Sequence, residues 1–445
     1  MYYRVKLTIC TLIALVFSVS NAMLAQNNST DDHSTMVKVQ FRPKFELRDG
    51  TFQPFNKTNK VAALTSQRSR LVLQHKWNNK FELNFTPQFV SIWGQEGMTQ
   101  GVNYNNGFKL FESWAKVSLD SVSSFVIGRQ VISLDDERLF GELDWAQGGR
   151  SHDALGYFMT LKKIDLKAYF AYNQNYNDLY GNNLSNPSGS LYNPQGGIPY
   201  KWMQTIWGKY SFDKNNSISV IGTNLGFQKA DTKNDTTKTY YNQTVGLNYF
   251  GGQNDFNYNA SGYYQMGKDA NGKNVMGYMF AASLSKDFFS TLRLALGVDY
   301  VSGNSYGTVG TTTHSFNPYF ATGHKFYGSM DYFYSGNGHG GVGIVDYYLK
   351  STITAGTKWK WNVALHQFMS PNKIETNVDT YSKNLGQEVD IDFVLSMHKS
   401  VKVMGGYSFY ITTPTIGLLK KVNEPKKLQN FAWLSIVVQP EILKF

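Results

Sequence analysis

The chain of 445 residues carries one cysteine, Cys10, and so cannot form an internal disulfide. That excludes the small stapled scaffolds common among exported proteins. Proline is scarce, and beyond the N-terminus no stretch approaches the roughly 20 apolar residues that a spanning helix needs. His314, His324 and His339 lack the spacing of metal ligands, so neither a metal nor a cofactor is expected. Ser151, His152 and Asp153 have the residue types of a hydrolytic triad. Neighbours along a strand point to opposite faces and cannot converge, so no enzyme is expected there. A lipid hydrolase would need a nucleophile–base constellation, and no segment supplies one. Arginine is nearly missing from the second half of the chain, where only Arg293 lies beyond Arg150.

What is present begins at the N-terminus. Arg4 and Lys6 precede an apolar run from Leu7 to Val19, followed by Ser20, Asn21, Ala22 and Ala25. A basic start, a short apolar stretch and small residues at a cleavage point predict a signal peptide over residues 1–25. The remainder, 26–445, is expected to be one domain exported to the outer membrane of a Gram-negative cell. Aromatic residues make up 15% of the chain, with 30 Phe, 29 Tyr and 9 Trp. Trp77 and Trp93, at strand ends, fit an interfacial girdle. The formal charge is +11, which on an exported chain points to anionic solutes or lipid headgroups rather than nucleic acid.

A period of two runs through the sequence. In residues 36–48 Val37, Val39, Phe41, Phe45 and Leu47 alternate with Lys38, Gln40, Arg42, Lys44, Glu46 and Arg48. Similar runs recur at 66–77, 81–93, 108–119, 123–130, either side of Lys162–Lys163, and then at intervals to 428–439. In a soluble sandwich the apolar face would meet a core; in a membrane barrel it meets lipid while the polar face lines a wet lumen. About 18 such runs, with no helix between them, predict a single transmembrane antiparallel β-barrel, and barrels of that size leave an aqueous channel. Asn78–Asn79 reads as a tight turn, and residues 94–106, 173–199 and 230–238 as loops. The terminal Phe445 after the closing run suits a client of the barrel-assembly machinery.

The polar features concentrate in the first third. Arg42, Arg48, Arg68 and Arg70 share the polar parity of the first two strands and predict a basic ladder inside the barrel. Arginine offers a planar fork that pairs with carboxylate or phosphate, which lysine does not. The segment 128–154 adds Arg129, Arg138 and Arg150 among Asp135, Asp136, Glu137, Glu142, Asp144 and Asp153. It is too charged for a core and too long for a hairpin, so it is expected to fold back and partly plug the lumen. The arginines are also expected to find carboxylate partners, with Glu46, Glu82, Asp135 and Asp136 as candidates. Late in the chain, Glu388, Asp390 and Asp392 form an acidic stripe on one face.

The stretch GRQ…DDERLFGELDWAQGGRSHDA, ending at Ala154, resembles the alginate-export family of outer-membrane barrels, in its Bacteroidetes-type version. HKFYGSMDYFY from His324, LGQEVDIDF from Leu385 and the paired Arg68 and Arg70 are similar to that family as well. The resemblance implies a monomeric barrel whose basic lumen passes an anionic polyuronate, with Arg68, Arg70, Arg129, Arg138 and Arg150 at an electropositive constriction. The expected ligand-binding set is therefore Arg42, Arg48, Arg68, Arg70, Arg129, Arg138, Arg150, Asp135, Asp136, Glu137 and Asp144. The expected partners are outer-membrane lipids and an anionic solute or polysaccharide. The competing expectation is a non-conducting barrel that serves a structural role or binds surface polymers.

Overall fold

The computed structural model describes residues 33–94, 107–174, 199–228, 239–333 and 338–444. The signal peptide expected at 1–25 and Phe445 lie outside the described residues, as do nearly all of the loops expected at 94–106, 173–199 and 230–238.

Eighteen strands close into one antiparallel β-barrel. The first half comprises β1 (His33–Asp49), β2 (Ala62–Trp77), β3 (Phe81–Ile92), β4 (Phe108–Ser118), β5 (Ser123–Gln130), β6 (His152–Leu161), β7 (Ile164–Tyr172), β8 (Trp202–Ser211) and β9 (Ser217–Gln228). The second comprises β10 (Thr239–Gln253), β11 (Phe256–Lys268), β12 (Asn274–Phe288), β13 (Leu292–Val301), β14 (Ile344–Ala355), β15 (Trp359–Met369), β16 (Asn384–His398), β17 (Val401–Thr412) and β18 (Leu428–Val438). Each strand pairs with its neighbours in sequence. The last returns to the first, with Phe41 opposite Val438 and Arg48 opposite Phe431. Closure leaves no free sheet edge.

The alternation of the sequence becomes the two faces of this wall. Phe41, Phe45, Leu83, Phe85, Ile127, Ile206, Leu247, Phe280 and Leu296 stand on the outside, exposed. Lys44, Glu46, Arg68, Thr86, Asn248, Asp299 and Glu388 turn inward, buried. Short turns gather at one rim. Asn78 and Asn79 join β2 to β3 with φ of 48° and 54°, the left-handed pair that a two-residue hairpin turn requires. Longer connections gather at the other rim.

Two of those connections enter the barrel. Residues 131–151, between β5 and β6, meet residues 302–343, between β13 and β14, through hydrogen bonds from Gly141 N to Phe320 O (2.9 Å) and from Phe320 N to Leu139 O (3.2 Å). Their side chains Ile132, Leu134, Leu139, Phe140, Phe316, Phe320 and Phe326 form one buried cluster with Tyr169, Met203, Trp207, Ile221 and Leu225 of β7–β9. The lumen is thus not wet throughout, as strict alternation predicted. The inner faces of β7–β9 carry apolar residues, and the two loops bury them as a soluble core would. Space remains on the side of β1–β3 and of β14–β18.

Candidate functional site

One carboxylate gathers the arginines of the first two strands. Arg42 and Arg68 lie opposite each other on β1 and β2, and Arg70 lies two residues along on the same inward face. All three guanidiniums reach Asp144 on the inward loop. Oδ1 accepts from Arg68 Nη1 at 2.7 Å and from Arg70 Nη1 at 3.4 Å, and Oδ2 accepts from Arg42 Nη1 at 3.3 Å. Glutamines fix the forks from behind. Arg68 Nε donates to Gln40 Oε1 (2.8 Å), Arg70 Nε to Gln88 Oε1 (2.6 Å), and Arg42 Nε to Gln147 Oε1 (3.0 Å). Arg70 also lies 3.5 Å over the ring of Phe111. Burial works against ionisation of Asp144, but Arg68, Arg42 and Arg70 outweigh it and hold its carboxyl below the usual carboxylate range.

The loop backbone is held here separately from its charge. Arg42 donates to the carbonyls of Asp144 (2.8 Å) and Ala146 (3.1 Å), and Gln88 to that of Gly148 (2.7 Å). Gly149 sits at φ +62°, where a Cβ would lie 2.6 Å from the Phe111 ring and 2.8 Å from Arg70 Nη2. Only glycine lets the chain pass the arginines this closely.

Two cavities flank the loop, of about 330 Å³ and 340 Å³. Lys44, Glu46, Arg48, Ser66 and Gln147 line the first. Lys350, Asn362, His366, Asp390 and Asp392 line the second. They share Trp145 and His324, whose rings stack at 3.8 Å and 9°. Lys44 lies 4.1 Å over the Trp145 ring, and Trp433 meets that ring edge-on at 4.8 Å. His324 is steadied by Asp331 at 3.1 Å. The partition between the cavities is therefore aromatic, not guanidinium.

The other expected site residues divide by role. Arg48 lines the first cavity but pairs with Glu46 at 2.8 Å, and Glu46 also takes Lys44 at 3.2 Å. Arg138 is buried between Asp136 (2.8 Å) and Asp299, beneath the ring of Phe326 at 4.1 Å. Arg150 donates to the carbonyls of Gly141 (3.3 Å), Ala321 (3.1 Å) and Phe320, where it fastens one inward loop to the other. Arg138 lines neither cavity, and Arg150 lines the first with its guanidinium bonded to those carbonyls. Asp135 crosses to the opposite wall and accepts from Trp207 (3.0 Å), Ser219 (2.5 Å) and Asn248 (3.0 Å) rather than from an arginine. Glu137 accepts from Ser133 at 2.8 Å and lies 3.9 Å from Lys325. The acidic stripe of β16 anchors the second loop: Glu388 accepts from Met330 N (2.7 Å) and Asp390 from Ser329 N (3.3 Å).

Arg129 corrects the expectation. It lies on the outer face, level with Phe125 and Ile127 of β5, and forms a two-toothed pair with Asp153 at 2.8 and 2.7 Å. The period of two decides this: Val126, Gly128 and Gln130 take the inward positions, so Arg129 cannot. Ser151, His152 and Asp153 do not converge either, since His152 turns inward to Tyr200 (2.9 Å) while Asp153 turns outward. Among the described residues no group of three or more His, Cys, Asp or Glu is placed to hold a metal.

Sequence reasoning did not find Lys44, Trp145, His324 or Trp433. Lys44 and Gln40 had a signal, the parity they share with Arg42. Trp145 and His324 had none, because their contact joins residues 179 positions apart across the lumen.

These features define a large closed antiparallel barrel narrowed by two inward loops. Solved structures share that fold. Pseudomonas aeruginosa OpdL superposes with a TM-score of 0.61 at 11% identity, covering 92% of this chain and 99% of that one. Acinetobacter baumannii OccAB1 gives 0.61 at 12%, covering 92% and 97%. The outer membrane protein opdK of Pseudomonas aeruginosa gives 0.56 at 11%, covering 93% and 99%. No protein-family model matches the chain. No curated protein sequence matches it.

Proposed function

We propose that this chain is an outer-membrane channel for anionic solutes, with uronates or oligouronates as the class to test first. The observation that carries the reading is the surplus of guanidinium over carboxylate at the loop: among the described residues Arg42, Arg68 and Arg70 form ion pairs with Asp144 alone. Fixed cationic donors in a confined lumen favour anions through electrostatic complementarity. The apolar outer belt suits lipid, and a fold shared with the outer membrane protein opdK fits the same location. A cleaved signal peptide, the barrel-assembly machinery and a monomeric state belong to this reading.

Reversal potentials in planar bilayers under a salt gradient test it. Anion preference is expected, and Arg68→Gln with Arg70→Gln should reduce it. A pore that prefers cations refutes the reading. The second reading, a non-conducting structural or polymer-binding barrel, is favoured by the apolar packing of the two inward loops. An absence of conductance in folded protein would select it.

A further inference from the structure

The contacts around Asp144 are numerous but incomplete. Three guanidiniums approach its two oxygens, each by a single Nη1. The strong arginine–carboxylate arrangement is a fork on a fork, with two parallel hydrogen bonds. This chain makes that arrangement elsewhere, at Arg129 and Asp153. At Asp144 it does not, and Nη2 of Arg68 and Nη2 of Arg70 are buried with no hydrogen-bond partner. A buried cationic donor without an acceptor is costly, so Asp144 leaves the donor capacity of the cluster partly unused.

The burial is uneven in the same sense. The side chains of Arg68, Arg70 and Arg42 are 0%, 9% and 11% exposed, whereas Asp144 is 44% exposed. The carboxylate caps the cluster from its open side. Its departure needs only side-chain rotation, because Arg42 and Gln88 hold the backbone of residues 144–148 through carbonyls. It would uncover three guanidiniums that the glutamines already hold in place.

We propose that Asp144 is a displaceable tethered counter-ion: its carboxylate occupies an oxyanion-binding site, and the carboxylate of a passing solute takes its place. The free solute can turn into the fork geometry that the short aspartate tether denies Asp144. The site then alternates between an internal and an external carboxylate, and Arg42, Arg68 and Arg70 are never left without a counter-charge. This rests on the anion-channel reading and adds a competitor to it.

The test is block of single-channel current by D-glucuronate, with glucose as the neutral control. A site occupied nine-tenths of the time by its own tether weakens apparent affinity about tenfold. Asp144→Asn should therefore lower the half-blocking glucuronate concentration about tenfold and leave glucose without effect. If the wild-type pore prefers anions but Asp144→Asn blocks at the same or higher concentration, the inference is overturned while the anion-channel reading stands. A cation-selective wild-type pore overturns that reading and this one with it. Should Asp144→Asn fail to fold, wild-type protein answers through the neighbouring Trp145. Glucuronate, but not glucose, should shift an emission component that Trp145→Phe lacks; no shift at blocking concentrations overturns the inference.

Discussion

The inward loop is held by buried charge, and Asp299→Asn measures how firmly. Arg138 and Asp299 have side chains only 4% and 0% exposed, and they meet across the lumen from loop to β13. Neutralising Asp299 leaves the Arg138 guanidinium under Phe326 with Asp136 as its one remaining carboxylate. Breaking a buried pair by removing one partner costs about 3–5 kcal/mol, most of it the penalty of an uncompensated charge. Because Asp136 stays, the lower end, about 3 kcal/mol, is the expected loss. The comparison is Arg293→Gln beside the short β12–β13 turn, whose pair with Asp287 is 51% and 36% exposed and should cost about 1 kcal/mol or less. Urea unfolding of the reconstituted barrel, followed by tryptophan emission, reads both. The midpoint should fall for Asp299→Asn with the denaturant slope unchanged. In a double-mutant cycle, Arg138→Met with Asp299→Asn should cost less than the two singles added. A loss for Asp299→Asn no larger than that of Arg293→Gln would refute the assignment of Arg138 as a brace.

Two further outcomes follow from the same geometry. Gly149→Ala places a Cβ against Phe111 and Arg70 at a positive φ, so it should destabilise by about 1–2 kcal/mol or more and weaken anion preference; an unchanged reversal potential would show that Arg70 does not depend on this close passage. Lys420, beyond β17, is lowered by burial from 10.5 to about 8. Between those values the unfolded chain holds more protons than the folded one, so this group makes stability rise with pH from about 8 to 10.5 and adds no slope below. Lys420→Met should remove that part of the rise in urea midpoint, and an identical pH profile for the two proteins would count against the burial of the ammonium.

Much of the barrel was legible because the period of two is local. Each strand states its own faces, and Asn78–Asn79, Lys162–Lys163 and Lys399–Ser400 mark turns by residue type. The same rule, applied at residues 123–130, would also have sent Arg129 outward; its place in a charged motif drew it into the lumenal set instead. Arg42, Arg68 and Arg70 were legible as neighbours because parity and pairing put them together. Their shared partner was not, because six acids near one another in sequence looked equivalent. Asp135 went to β8–β10, Asp136 to Arg138 and Asp144 to the arginines.

What the amino-acid order determined by itself is the wall: which side chains face in, which face out, and that the segment 128–154 is too long for a hairpin and too charged for a core. What only the tertiary structure decided is the lumen. Trp145 on His324, Phe140 on Phe320 and Asp144 among three guanidiniums are contacts between segments far apart in the chain, made possible when closure of the sheet brings both loops into one confined volume. A repeating pattern fixes the direction of a side chain. It carries no information about what arrives from the other side, and that arrival settles which charges are spent on bracing and which remain for a solute.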